Sequence, residues 1–245
     1  MPISNNEIKR VKSLQQKKFR DELGLFVVEG EKLVAEALES GFGVDSLYRV
    51  EDIGPKAMER ISALSTPSPV LAVLRKPSDI RIDKPAVPSS GLYLALDGIR
   101  DPGNLGTILR TADWFGIKTV YASPDTVDVF NPKVVQSTMG AIFRVTIHYT
   151  VLPGLCNAFR NSGGKVYGTF LDGMNIYSTD IDGGASNPSM IVVGNESEGI
   201  SATVASEVTD RLYIPPFPGP TPTSESLNAA VATAVTIAEF RRRIL

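Results

Sequence analysis

The chain has 245 residues, 42% hydrophobic and 21% charged, with a net charge of −2 and a pI of about 5.6. These values fit a globular protein of one large or two smaller domains and exclude a chain that is basic all over, though not a local phosphate-binding face. A single cysteine, Cys156, excludes an internal disulfide and a cysteine-based metal site, and a single histidine, His148, nearly excludes histidine-dependent triads.

Met1 to Arg20 is polar and basic, without the apolar stretch of a secretory leader, and no apolar run approaches membrane-spanning length, so a cytoplasmic protein is expected. Asn5 or Asn6 can cap a helix whose apolar side carries Ile8, Val11, Leu14 and Phe19. Its other face carries Lys9, Arg10, Lys12, Lys17, Lys18 and Arg20, one-signed enough to serve either as a solvated face or as a contact to a phosphate backbone. Leu25–Val28 reads as a strand, Glu31–Glu39 as a helix stopped by Ser40-Gly41, and Ser46–Val50 as a strand. Pro55–Leu64 reads as a helix with proline in its first turn, and Val70–Leu74 as a strand. Alternating strands and helices predict a small α/β domain over residues 1–76. Residues 77–90, with Pro77, Pro85 and Pro88 among small and charged residues, read as a linker.

A second domain is predicted over 91–245. Gly91–Leu96 is a nearly continuous apolar strand of the kind buried in a parallel sheet. A loop over 97–106, a helix over Thr107–Phe115, a strand over Lys118–Ala122, a helix over Asn131–Met139 and a strand over Phe143–Tyr149 follow. A helix over Leu155–Arg160 and strands over Lys165–Phe170, Ser189–Val193 and Arg211–Ile214 complete a βαβ series. His148, within a strand, reads as structural. The chain closes with the proline-loaded loop Pro215–Pro222, then Ser226-Leu227-Asn228 and an alanine-rich helix that Ser226 or Asn228 can cap.

In such a series ligands gather in loops at the carboxyl ends of strands, and three of these loops carry chemistry. In the first, Gly103 and Gly106 permit tight turns, Asn104 is placed to orient the loop, and Arg110 on the following helix offers a fork for a phosphate. The second, Gly194-Asn-Glu-Ser-Glu-Gly199, lets backbone approach a ligand closely. Its carboxylates Glu196 and Glu198 suit a cationic or hydroxyl-bearing ligand better than a polyphosphate. The third is the terminal loop with Ser226-Leu227-Asn228. No G-x-G-x-x-G follows a strand, and the chain has no P-loop and no G-x-S-x-G elbow, which argues against dinucleotide enzymes, P-loop ATPases and α/β-hydrolases.

Taken together, Asn104 with Arg110, the Val-Gly-Asn-Glu-x-Glu-Gly string ending at Gly199, and Ile214-Pro215 leading to Ser226-Leu227-Asn228 resemble the three motifs of the TrmH (SpoU) family of RNA 2′-O-ribose methyltransferases, in the SPOUT superfamily. The resemblance spans Gly91–Leu245, and a looser one relates residues 1–76 to the family's RNA-binding domain. It implies an α/β fold with a C-terminal parallel-sheet SPOUT domain tied in a deep trefoil knot, preceded by a small α/β RNA-binding domain. It further implies a homodimer, and transfer of a methyl group from S-adenosylmethionine to a ribose hydroxyl of RNA, ribosomal RNA favoured over transfer RNA, with no metal required. Leu171, Gly194, Ile214 and Leu227 would hold the methyl donor, while Arg110, Asn104, Glu196, Ser226 and Asn228 would form the catalytic set. Lys9, Lys12, Lys17, Lys18, Arg20 and Arg110 would meet RNA. Because arginine is ordinarily protonated, a role in holding phosphate and hydroxyl in line is as defensible for Arg110 as that of a base. Pro216 departs from the methionine usual after Ile-Pro in the family. A non-catalytic RNA-binding protein of the same fold and a base-directed methyltransferase are the alternatives.

Overall fold

The computed structural model describes residues 3–184, 186–217 and 226–244. Its contacts divide the chain into two compact units, Met1–Ser78 with Asp128–Arg144, and Asp79–Val127 with Val145–Leu245.

The first unit contains α1 (Asn5–Ser13), α2 (Lys17–Leu23), β1 (Leu25–Glu29), α3 (Glu31–Glu39), β2 (Val44–Arg49), α4 (Val50–Ile53), α5 (Pro55–Ile61) and β3 (Val70–Arg75). The strands form an antiparallel sheet in the order β1-β3-β2. Because side chains alternate along a strand, Leu25, Val27, Leu71 and Val73 face one way, into a core with Ile8, Val11, Leu14, Met58 and Ile61. Phe26 faces the other way and packs on Phe42 and Phe130. Phe130 comes from the later segment, which also brings α7 (Pro132–Thr138) and a 3-10 turn over Ala141–Phe143 into this unit. The basic N-terminal helix is two helices rather than one, and Ser4, not Asn5 or Asn6, caps the first by accepting from the Glu7 amide at 3.1 Å.

The second unit holds β4 (Leu92–Asp97), α6 (Pro102–Trp114), β5 (Thr119–Ala122), β6 (Thr146–Tyr149), α8 (Leu152–Asn161), β7 (Lys165–Asn175), β8 (Ser189–Gly194), α9 (Ala202–Ala205), β9 (Asp210–Tyr213) and α10 (Ala229–Arg242). Its six strands are all parallel, in the order β6-β5-β4-β8-β7-β9. The central pair β4 and β8 is apolar and almost wholly buried, as a sheet covered on both faces requires. Leu152, Leu155, Cys156 and Phe159 of α8 pack on Ala95, Val166, Met190 and Val192, one of the sheet's covered faces. Ile80 and Ile82, in the proline-punctuated stretch before β4, hydrogen-bond with Tyr149 along β6. His148, on β6, has its Nδ1 2.9 Å from the Asp79 carbonyl oxygen.

Two elements begin earlier than expected. The residues taken as a loop up to Gly106 are largely the first turn of α6, because Asp101 caps it, accepting from the Asn104 amide at 2.7 Å, and Pro102 takes the first helical position. Likewise α8 starts at Leu152, ahead of Pro153. Conversely, the strand expected from Phe143 begins only at Thr146, since residues 141–143 form the 3-10 turn. Of the proline loop, Pro215, Pro216 and Phe217 are described, while Pro218, Pro220 and Pro222 lie outside the described residues.

Candidate active site

In the sheet, Asp97 at the end of β4 pairs with Gly194 at the end of β8, so the first and second motif loops leave side by side. This is where the strand order reverses, the usual place for a ligand crevice in an open parallel sheet. The Gly194–Gly199 loop is shaped in advance. Asn195 and Gly199 exchange two backbone hydrogen bonds of 2.9 Å each. A Cβ at Gly194 would lie 2.2 Å from the carbonyl carbon of Gly199, so only glycine fits. The Asn195 side chain accepts from the Ser197 and Glu198 amides at 2.8 and 3.0 Å and donates to the Gly98 carbonyl at 2.7 Å, joining the two loops.

The third motif arrives on α10. Asn228 is its cap, the side-chain oxygen accepting from the Ala230 and Val231 amides at 2.9 and 3.3 Å. With that oxygen engaged, its Nδ2 donates to Asn104 Oδ1 at 2.9 Å. Asn104 in turn donates from Nδ2 to Glu196 Oε1 at 2.7 Å. An ionised carboxylate can only accept, so each amide in this chain has one possible orientation. One residue from each motif is thus held in a single series, Asn228 to Asn104 to Glu196.

Beside this series lies a cavity of about 1130 Å³ lined by Leu171, Gly194, Glu196, Ile214, Ser226 and Leu227, among others. All four residues expected to hold a cofactor line it, as do two members of the expected catalytic set. Glu198 also lines it, and Arg211 is the single lysine or arginine among its lining residues. A glycine-tight loop beside two carboxylates, Glu196 and the Arg100-paired Glu198, suits a nucleoside-sized ligand bearing positive charge. Arg110 stands apart. It is exposed, six residues beyond Asn104 on α6, about 9 Å along the axis and about 120° around it. Among the described residues its guanidinium has no hydrogen-bond partner, which leaves its whole fork available to a ligand.

Two family models match the chain, the SpoU rRNA Methylase family over residues 91–238 and the MRM3-like substrate binding domain over residues 5–75. The chain belongs to the SpoU rRNA methylase family. A 23S rRNA (guanosine(2553)-2′-O)-methyltransferase from Bacillus subtilis is 31% identical to it, over 97% of this chain and 96% of the relative. A solved putative RNA methyltransferase of the TrmH family from Porphyromonas gingivalis is 40% identical, with a TM-score of 0.86 over 99% of this chain and 100% of that one. A solved rRNA methyltransferase from Sinorhizobium meliloti with bound AdoMet (S-adenosylmethionine) is 30% identical, with a TM-score of 0.86 over 100% and 97% of the two chains. The α/β parallel-sheet SPOUT fold expected from the motifs is the fold observed.

One expected RNA-binding residue of this SpoU family chain is a core residue instead. Arg20 is 1% exposed. Its guanidinium donates to Asp128 at 2.7 and 3.0 Å and to the carbonyls of Leu14 and Gln15, both at 2.9 Å, thereby satisfying backbone acceptors where α1 ends. It has no surface to offer RNA. Lys9, Lys12, Lys17 and Lys18 are exposed, Lys17 in an ion pair with Asp21 and Lys18 over the Phe19 ring. Asn195 and Arg211 were not singled out from the sequence. The position of Asn195 directly after a strand-ending glycine, where Asx turns form, is the signal that marks it. Arg211 has no local signal.

Proposed function

We propose that this protein transfers a methyl group from S-adenosylmethionine to a ribose 2′-hydroxyl of ribosomal RNA. The observation that carries the reading is the Asn228–Asn104–Glu196 series beside a cavity lined by Leu171, Gly194, Ile214 and Leu227. S-adenosylmethionine, when bound, supplies an electrophilic methyl group on a positively charged sulfur. On this reading the backbone at Leu171, Gly194, Ile214 and Leu227 holds the donor. Glu196 and Glu198 favour its positive charge, while Asn104, Ser226 and Asn228 keep Glu196 and the ribose in register. Arg110 holds the RNA phosphate so that the 2′-oxygen points at the methyl group, a proximity effect in which S-adenosylhomocysteine would leave as the neutral thioether and the hydroxyl proton would pass to solvent, with no arginine deprotonation. Lys9, Lys12, Lys17 and Lys18 on the first unit engage the phosphate backbone, and residues 1–76 act as the RNA-binding domain. The relative named as a 23S rRNA 2′-O-methyltransferase and the AdoMet-bound rRNA methyltransferase structure support the reaction and the substrate class.

The same reading includes a homodimer and a knotted C-terminus. Trp114 on α6 is 84% exposed, and Leu227 just before α10 and Val231 in its first turn are half-exposed, α10 itself packing on α6. Large apolar side chains open to water on α6 and at the entry to α10 fit an interface between copies. The small residues of α10 let a threaded segment pack closely against α6 and β8. Among the described residues no helix is long and apolar enough to cross a membrane, and the reading places the protein in the cytoplasm with its RNA.

The deciding experiment is calorimetry with S-adenosylhomocysteine, followed by mapping of methylated nucleotides in ribosomal RNA with and without the gene. Absence of binding at millimolar ligand would leave only the RNA-binding alternative, and methylation confined to bases would replace the ribose assignment.

A further inference from the structure

We infer that Arg211 is a positioning residue for the methyl-donor pocket, because it clamps the backbone excursion that carries Leu171 into the cavity wall. The inference rests on the proposed reading of that cavity. In β7, Thr169 and Met174 both pair with Leu212 of β9, so residues 170–173 between them leave the ladder. Leu171, at 68% exposed, sits in this excursion, and a four-residue bulge open to water has little of its own to hold it in one shape. Arg211, the neighbour of Leu212, grips it at three points. The guanidinium carbon lies 3.5 Å from the centroid of the Phe170 ring, a stacked cation–π contact. Its Nη2 donates to Asp172 at 2.5 Å. Gly173, at φ +147°, lies so close to the Arg211 backbone that a Cβ there would stand 2.6 Å from the Arg211 carbonyl oxygen. One residue on β9 thus contacts the residues on both sides of Leu171 and the glycine beyond.

The planar guanidinium explains why arginine suits this position. It stacks on Phe170 through its face and reaches Asp172 through its edge at the same time, which a lysine ammonium cannot do. Each contact is weak alone because both partners are partly exposed. Together they fix the direction in which the Leu171 backbone meets a ligand. Phe170, Leu171 and Arg211 all line the cavity, so the clamp and the wall are one surface.

The test compares full-length wild type with Arg211→Ala, Arg211→Lys, Gly173→Ala and an Arg211→Ala/Asp172→Ala double variant. Amide hydrogen exchange at residues 171–173 is expected to speed up about tenfold in Arg211→Ala, with thermal stability nearly unchanged, as for release of a local segment. The dissociation constant for S-adenosylhomocysteine should rise about tenfold, and the loss in methyl transfer should fall more on KM for S-adenosylmethionine than on kcat. Arg211→Lys should recover only part of the affinity. The double variant should lose little more than Arg211→Ala alone. Gly173→Ala, which leaves Arg211 and Asp172 in place, should weaken binding in the same direction. Unchanged exchange at 171–173, or faster exchange with unchanged affinity, overturns the inference, as does lost thermal stability with full affinity in the folded fraction. Wild type that binds no S-adenosylhomocysteine removes the donor reading and the positioning role with it. That failure is distinct from failure of the clamp, since exchange and binding are read separately.

Discussion

The Asn104 amide nitrogen lies 2.7 Å from a Glu196 carboxylate oxygen although 92 residues separate the two in the chain. Asn104 is held in the first turn of α6 by the Asp101 cap, and Glu196 sits in a loop that only glycine at 194 permits. Asn104→Asp turns a donor facing Glu196 into a second carboxylate, so methyl transfer should fall by about 10- to 100-fold, on the scale of losing a charge-assisted hydrogen bond and gaining repulsion. Glu196→Gln keeps an acceptor for Asn104 and should be milder. Combining them restores a donor–acceptor pair with its direction reversed, so the double variant should be more active than Asn104→Asp alone. Rates on ribosomal RNA, together with S-adenosylhomocysteine calorimetry, check all three.

Arg110 makes no hydrogen bond within the described residues and lies off the cavity lining. Removing it should therefore leave the pocket intact. Arg110→Ala is expected to bind S-adenosylhomocysteine within about threefold of wild type while losing methyl transfer by about a hundredfold or more, the signature of a group needed only in the reacting complex. Arg110→Lys keeps the charge but not the fork and should recover only part of the rate. Retained turnover in Arg110→Ala would remove this residue from the reaction.

The four exposed lysines of α1 and α2 can be tested by salt. Replacing Lys9, Lys12, Lys17 and Lys18 with glutamine should weaken RNA binding and flatten the slope of log K against log salt by up to about 3, at roughly 0.7 per phosphate contact on single strands. Lys17, already paired with Asp21, should contribute least. An unchanged slope would make this a solvated face.

Glu239 on α10 gives a prediction in pH. It is buried, and hydrogen bonds from Arg242 at 2.7 Å and Arg243 at 2.6 Å hold its carboxyl down to about 2 from an ordinary value of 4.5. A carboxyl depressed in the folded state adds stability that is present above its unfolded value and is lost as pH falls through the folded one. The wild-type melting temperature should thus decline between about pH 4.5 and about pH 2, and Glu239→Gln should be less stable near neutrality and flatter across that window. Melting curves at a series of pH values decide it, and parallel curves for the two proteins would show that the cluster does not govern acid stability.

Much of the candidate site is legible in the sequence because its residues stand in short local strings. The apolar runs of β4 and β8 mark a buried parallel pair, and the loops that leave them carry Asn104, Gly194 and Glu196 in short strings. What was missed depends on partners distant in the chain. Arg20 looks like one more cation on a basic helix until Asp128, 108 residues away, closes on it. The 170–173 excursion is invisible because Phe170-Leu171-Asp172 has no strand alternation to break, and its shape is set by Arg211, 39 residues on. The start of α6 was misplaced for a different reason. Gly103 and Gly106 advertise a loop, but Asp101 and Pro102 begin a helix that tolerates both.

The segment Asp128–Arg144 is placed by its contacts in the first unit, where Phe130 packs at a tilt on Phe26 and Asp128 meets Arg20. The ribosome delivers that segment late. At roughly 5–20 residues per second, the interval between residue 78 and residue 144 is about 3–13 s. Through that time Phe26 has Phe42 beside it but not Phe130, the α7 side of β1 is open, and Arg20 lacks its counter-charge. The domain that starts the chain is therefore not one that can finish folding first, and a nascent chain stalled before Asp128 would carry an open aromatic surface for chaperones to meet.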